Sequence, residues 1–141
     1  MLRSLLAALI VCLAAWTAHA DTLSQADRTE FQRIITGQIE AFRADDGERA
    51  YGYAAPSIRR IFPNSSIFMQ MVKQGYRPVY RPQSFSFEPA GADPLGQSSQ
   101  RVRIIGPDGK TYEALYSMER QPDGTWRIGG CSLLEVPGVD A

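Results

Sequence analysis

Residues 110–131 read KTYEALYSMERQPDGTWRIGGC, and this stretch decides the fold. Tyr112, Ala114, Tyr116 and Met118 alternate with Glu113, Ser117 and Glu119, the two-residue period of a strand with one face buried and one wet. Pro122-Asp123-Gly124 follows. Proline presets the first turn torsion and glycine accepts a positive φ, so the chain reverses here. Trp126 then opens another strand, running to about Glu135, and the pair reads as an antiparallel hairpin. Gly129-Gly130 would weaken a flat strand and predicts a bulge or sharp bend in its middle. Upstream, Pro107-Asp108-Gly109 repeats the turn chemistry after a strand at Arg101 to Ile105, and Phe85 and Phe87 alternate with Ser84, Ser86 and Glu88 in a fourth. The Gly-, Ala-, Pro- and Ser-rich stretch from Ala90 to Ser99 reads as an exposed loop.

Before Tyr76 the period is helical. Ser24 and Asp27 have the spacing of a capping box, and Phe31, Ile34, Ile35, Ile39 and Phe42 fall on one stripe, with Glu40 opposite. Gln38 is the polar residue that projects within that stripe. Asp45-Asp46-Gly47 ends the helix, and Asp45 with Glu48 has the spacing to cap a short second one through Tyr51 and Tyr53. These acids lack the alternating ligands and downstream glutamate of a calcium loop. Pro56 suits the first turn of a third helix, with Ile58, Ile61 and Phe62 inward and Arg59 and Arg60 outward, stopped by Pro63. Asn64 or Ser65 then caps a helix carrying Ile67, Phe68, Met71 and Val72 to about Gly75. Helices first and an antiparallel meander afterwards predict an α+β domain, its N-terminal helices packed on a strongly bent four-stranded antiparallel sheet. That order resembles the cystatin-like cone of nuclear transport factor 2-like and ketosteroid isomerase-like proteins, which hold a pocket between helices and concave sheet.

The first twenty residues read as a secretory signal peptide: Arg3 near the start, an apolar run from Leu5 to Trp16, and Ala18-His19-Ala20 before Asp21. Cleavage after Ala20 leaves residues 21–141 as a single domain and removes Cys12 and the only histidine. Histidine bases, imidazole metal sites and an internal disulfide are then excluded, and no metal or organic cofactor is expected. Loss of Arg3 takes the formal charge from zero to about −1. With no basic stripe, nucleic acid is not an expected partner. The apolar run is short for a membrane span and no second one follows, so no stable membrane anchor is expected and the protein is read as periplasmic or secreted.

Several segments carry a family resemblance. They are Ala54-Ala55-Pro56-Ser57-Ile58-Arg59, Phe68-Met69-Gln70-Met71-Val72, Tyr76-Arg77-Pro78-Val79-Tyr80-Arg81-Pro82 and Tyr116-Ser117-Met118-Glu119-Arg120. Asp123-Gly124-Thr125-Trp126-Arg127-Ile128-Gly129-Gly130-Cys131 completes the set. Together they resemble the bacterial domain of unknown function 4864 over nearly all of the chain after residue 20. The resemblance implies the cone-like fold and makes Cys131 a family feature; it implies no activity.

Three functions follow from the residues. In the first, the protein is a non-catalytic module binding a small apolar or amphipathic ligand, or a protein partner, in the cell envelope. Tyr51, Tyr53, Tyr76, Tyr80, Tyr112, Tyr116 and Trp126 offer aromatic surface with polar tips, suited to an apolar pocket with a few directed hydrogen bonds. The candidate ligand-binding set is Gln38, Tyr53, Met71, Tyr76, Tyr80, Tyr112, Tyr116 and Trp126, with no catalytic or metal-binding residue. In the second, the protein is a ketosteroid isomerase-type enzyme without histidine, which needs a carboxylate base beside a tyrosine. Most of the acids fall in capping, turn or outward positions, and Asp27 sits in a first helical turn. In the third, Ile105, Leu115 and Leu133 make the outer sheet face apolar enough for a homodimer. Trp126 is expected to anchor the core, and Cys131 to be buried and unreactive.

Overall fold

The computed structural model describes residues 23–92 and 95–140. The signal peptide reading, with His19 and Cys12, lies outside the described residues. The long first helix, α1, spans Gln25–Arg43. Ser24 Oγ accepts from the Asp27 amide at 3.0 Å and the Asp27 carboxylate accepts from the Ser24 amide at 3.1 Å, a complete capping box. The stripe of Phe31, Ile34, Ile35, Ile39 and Phe42 is buried, and Gln38 is buried with it. Ser24→Ala should lower stability by about 1 kcal/mol, read as a shift in the urea midpoint without a change in slope.

The next helix, α2 (Gly47–Gly52), is capped by Asp46 rather than Asp45: Asp46 Oδ1 accepts from the Arg49 amide at 3.1 Å. Asp45 takes the sharp left-handed turn after α1, with φ 51°, a conformation that aspartate tolerates. Its carboxylate accepts from the Tyr80 hydroxyl and, at 2.9 Å, from Arg81. Then come α3 (Pro56–Ile61), α4 (Ser65–Gly75) and a single turn, α5 (Arg77–Tyr80), which helical periodicity does not reveal. Asn64 caps α4 through the Ile67 amide at 2.9 Å. Two expected inward residues point out: Ile61 is 68% and Ile67 41% exposed. A six-residue helix contacts the core along one short line, which Ile58 and Phe62 occupy, while Met69 takes the buried place on α4. Arg59 turns back instead of outward, donating to the carbonyls of Ala54 (3.2 Å) and Tyr51 (3.1 Å).

Four strands, β1 (Ser84–Ala92), β2 (Ser98–Ile105), β3 (Lys110–Arg120) and β4 (Trp126–Asp140), form an open antiparallel sheet in the order β1-β2-β3-β4. Half of the expected loop from Ala90 to Ser99 is strand, because Ala90, Gly91 and Ala92 pair with Gln100, Ser99 and Ser98. Ladder hydrogen bonds need no particular side chain, so small residues continue the pairing once the register is set. Gly109 (φ 78°) and Gly124 (φ 85°) make the two expected turns. The bulge falls where the glycines predict it: Met118 faces Ile128 and Ser117 faces Gly130, leaving Gly129 as the extra residue. A Cβ at Gly129 would lie 2.7 Å from the Glu119 side chain, whose end would have to shift to admit it.

Past the bulge, Cys131 faces Tyr116 and Leu133 faces Ala114, so Leu133 belongs to the inner face and not to the outer one expected for it. The outer face carries the ion pairs Arg101–Glu113 and Arg103–Glu88, each at 3.4 Å. A backbone bridge also ties the helical half to the sheet. The Ala55 amide donates to the Ile128 carbonyl at 2.8 Å and the Ile128 amide to the Tyr53 carbonyl at 2.9 Å, a short parallel bridge.

Candidate functional site

The helices do not fill the space above β3 and β4. A cavity of about 360 Å³ lies there, at the small end of the range for small-molecule pockets. Tyr116 and Cys131 supply part of the sheet side, with Ile128 beside the bulge. From α1 come Gln38 and Phe42, one turn apart on the buried face; Phe68, Met71 and Val72 come from α4, and Ile58 and Phe62 from the α3 region. Tyr76 and Val79 close the α5 side. The lining side chains are all uncharged.

Gln38, Tyr76, Tyr116, Ser117, Cys131 and Ser132 are the cavity's polar lining residues. Gln38 is 4% exposed, and its Nε2 donates to the Ala50 carbonyl at 3.1 Å. A carbonyl can only accept, so this bond settles which amide atom is the nitrogen. Among the described residues no donor reaches Gln38 Oε1. The Tyr116 hydroxyl is fully buried without a formed hydrogen bond, beside the Cys131 thiol across the β3–β4 pair. Burial pushes the Tyr116 phenol well above its ordinary value and the Cys131 thiol up to about 12, the latter against a smaller opposing effect of Tyr116. Both therefore stay protonated near neutral pH. Among the described residues no three His, Cys, Asp or Glu side chains gather to hold a metal.

Four of the eight candidate residues meet here: Gln38, Met71, Tyr76 and Tyr116. The other four are placed elsewhere. Tyr53 lies against Gly37, away from the cavity lining. Tyr80 donates its hydroxyl to Asp45. Tyr112 donates to Asp108 at 2.6 Å, and that bond pushes its phenol up to about 12. Trp126 packs edge-on against Phe31 and donates to Asp27 at 3.1 Å. A tyrosine hydroxyl with an acid in reach is satisfied by the protein, which separates Tyr80 and Tyr112 from Tyr116. Cys131 and Phe42 belong to the lining and were absent from the candidate set. For Cys131 the usable signal was the bulge, which turns it toward Tyr116.

The family model for the domain of unknown function DUF4864 matches residues 24–141, which include every element that builds the cavity. The chain belongs to the DUF4864 family. No curated protein and no solved structure matches it.

In this DUF4864 protein the thiolate is the reactive form of Cys131, and a thiol held near 12 supplies almost none of it at pH 7. Although the residue as a whole is partly exposed, its sulfur sits among buried groups. Labelling of the native protein by a disulfide reagent at pH 7 should be far slower than after denaturation in urea. Equal rates would place the thiol at the surface.

Proposed function

We propose that this DUF4864 protein is an exported, non-catalytic module that binds a small apolar or amphipathic molecule in the cavity between helices and sheet. The observation that carries the reading is an uncharged cavity of ligand size in which Gln38 Oε1 and the Tyr116 hydroxyl lack protein partners. The export part rests on the sequence of residues 1–20. Helices against an open, bulged four-stranded sheet are compatible with the cystatin-like cone. The isomerase alternative needs a carboxylate base, and the cavity lining holds none. Glu119, the acid bonded by Ser57, lines a separate polar groove. Dimerisation through the outer sheet face is disfavoured by its ion pairs and by the inward turn of Leu133.

The neutral dye N-phenyl-1-naphthylamine tests the reading. Its fluorescence should rise saturably on titration with the protein, and Met71→Trp, which fills the cavity from α4, should weaken the effect at least several-fold. A signal that fails to saturate, or that ignores Met71→Trp in a folded variant, would overturn the proposal.

A further inference from the structure

Gln38 makes the ligand's chemistry more specific. Its amide nitrogen is committed to Ala50 and its oxygen accepts nothing among the described residues, although the side chain lies in the buried stripe of α1 and lines the cavity. Unlike Gln100 Oε1 and the Tyr116 hydroxyl, this oxygen is not sealed from solvent but opens on the cavity, so a ligand that displaces water there must donate in its place or leave the oxygen unpaired. Two classes of donor compete: an ammonium, or a neutral hydroxyl. An ammonium in this cavity would lack a counter-charge, because no Asp or Glu lines it, and an unpaired buried cation is strongly disfavoured. A carboxylate would meet the Gln38 oxygen with its own negative oxygens and find no Lys or Arg in the lining. A ketone or ether has no proton to give. Apart from Tyr76, Tyr116, Ser117, Cys131 and Ser132, the remaining walls are aliphatic and aromatic: Ile58, Phe62, Phe68 and Val72 among them.

We infer that the ligand is an uncharged alcohol or phenol, an apolar body whose hydroxyl donates to Gln38 Oε1. This rests on the binding function proposed above. The hydroxyl is held by the C-terminal half of the longest helix, and the apolar body lies along α4 and the inner face of β3 and β4.

The test compares 6-phenyl-1-hexanol with its methyl ether, which accepts but cannot donate, and with 6-phenylhexanoate, by calorimetry on the full mature protein at pH 7. The alcohol is expected to bind about tenfold more tightly than the ether, the scale of one satisfied buried hydrogen bond, and more tightly than the carboxylate. Gln38→Met should reduce the alcohol-to-ether ratio to about one. That substitution also frees the Ala50 carbonyl, so a second measurement uses the wild-type protein. The side-chain amide resonances of Gln38 should move with the alcohol and stay in place with the ether. Equal binding of alcohol and ether, with unmoved Gln38 resonances, would overturn the alcohol inference while leaving the binding function intact. Preference for the carboxylate would do the same. Failure of all three compounds, together with no saturable dye signal, would overturn both.

Discussion

Trp126→Ala is expected to lower the unfolding free energy by about 3 kcal/mol, the lower end of the range for a large aromatic. The indole is half-buried rather than sealed in the core, which sets the lower end. It nevertheless joins three elements. Its ring meets Phe31 of α1 edge-on at 4.8 Å, Arg120 of β3 lies over it at 4.9 Å, and its Nε1 donates to Asp27 in the first turn of α1. Trp126→Phe keeps much of the packing and loses the hydrogen bond, so it should fall between wild type and Trp126→Ala. A urea midpoint for Trp126→Ala within error of wild type would show that the indole is peripheral.

The same clamp sets a pH dependence. The backbone hydrogen bond from Ser24 is the largest influence lowering the Asp27 carboxyl below its ordinary 3.8, and the Ser24 hydroxyl, Trp126 and Arg120 add to it against desolvation. A carboxyl lowered in the folded state stabilises fully above 3.8 and loses that contribution as pH falls through its folded value. Asp27→Asn should therefore flatten the loss of stability expected below about pH 4, and an unchanged acid profile would contradict the clamp.

Phe42→Ala should cost about 4 kcal/mol, since Phe42 is 2% exposed and its removal opens space that α1 is too rigid to close. Its ring lies 6.3 Å from that of Phe68 and 6.4 Å from that of Tyr80, centroid to centroid, so it joins α1 to α4 and α5. Because it also lines the cavity, the variant is expected to accept bulkier apolar probes than wild type while unfolding at lower urea. Loss of stability without any change in probe size preference would separate Phe42 from the cavity.

Periodicity and turn chemistry made the architecture legible. The stripe of α1, the alternation of β3 and the two Pro-Asp-Gly turns each follow from local rules, and helices before strands leave few ways to pack. Errors arose where a local rule had two solutions or where parity changed. Asp45 and Asp46 both had an acid's claim to the cap, and backbone direction after α1 decided between them. Alternation counted straight through Gly129 comes out one residue off and puts Leu133 on the outer face, whereas the bulge turns it inward. The site was half legible: aromatic residues with polar tips are easy to see, but whether a hydroxyl meets an acid depends on how the folded chain places the two, near or far in sequence. Tyr80 finds Asp45 across 35 residues of chain and Tyr112 finds Asp108 across four, whereas Tyr116 meets none.

The bridge between Ala54 and Ile128 has a kinetic consequence. It closes a loop of about 74 residues, while β3 and β4 meet across a tight turn, so chain entropy favours hairpin formation before the bridge. Assembly of that wall is then a late step, and its reversal is an early one. Only two backbone hydrogen bonds make the bridge, and the adjoining α3 is one short helix with no side-chain cap. Such segments exchange their amide protons through local opening, without waiting for the whole domain to unfold. Hydrogen exchange at Ala55 and Ile128 would time that opening.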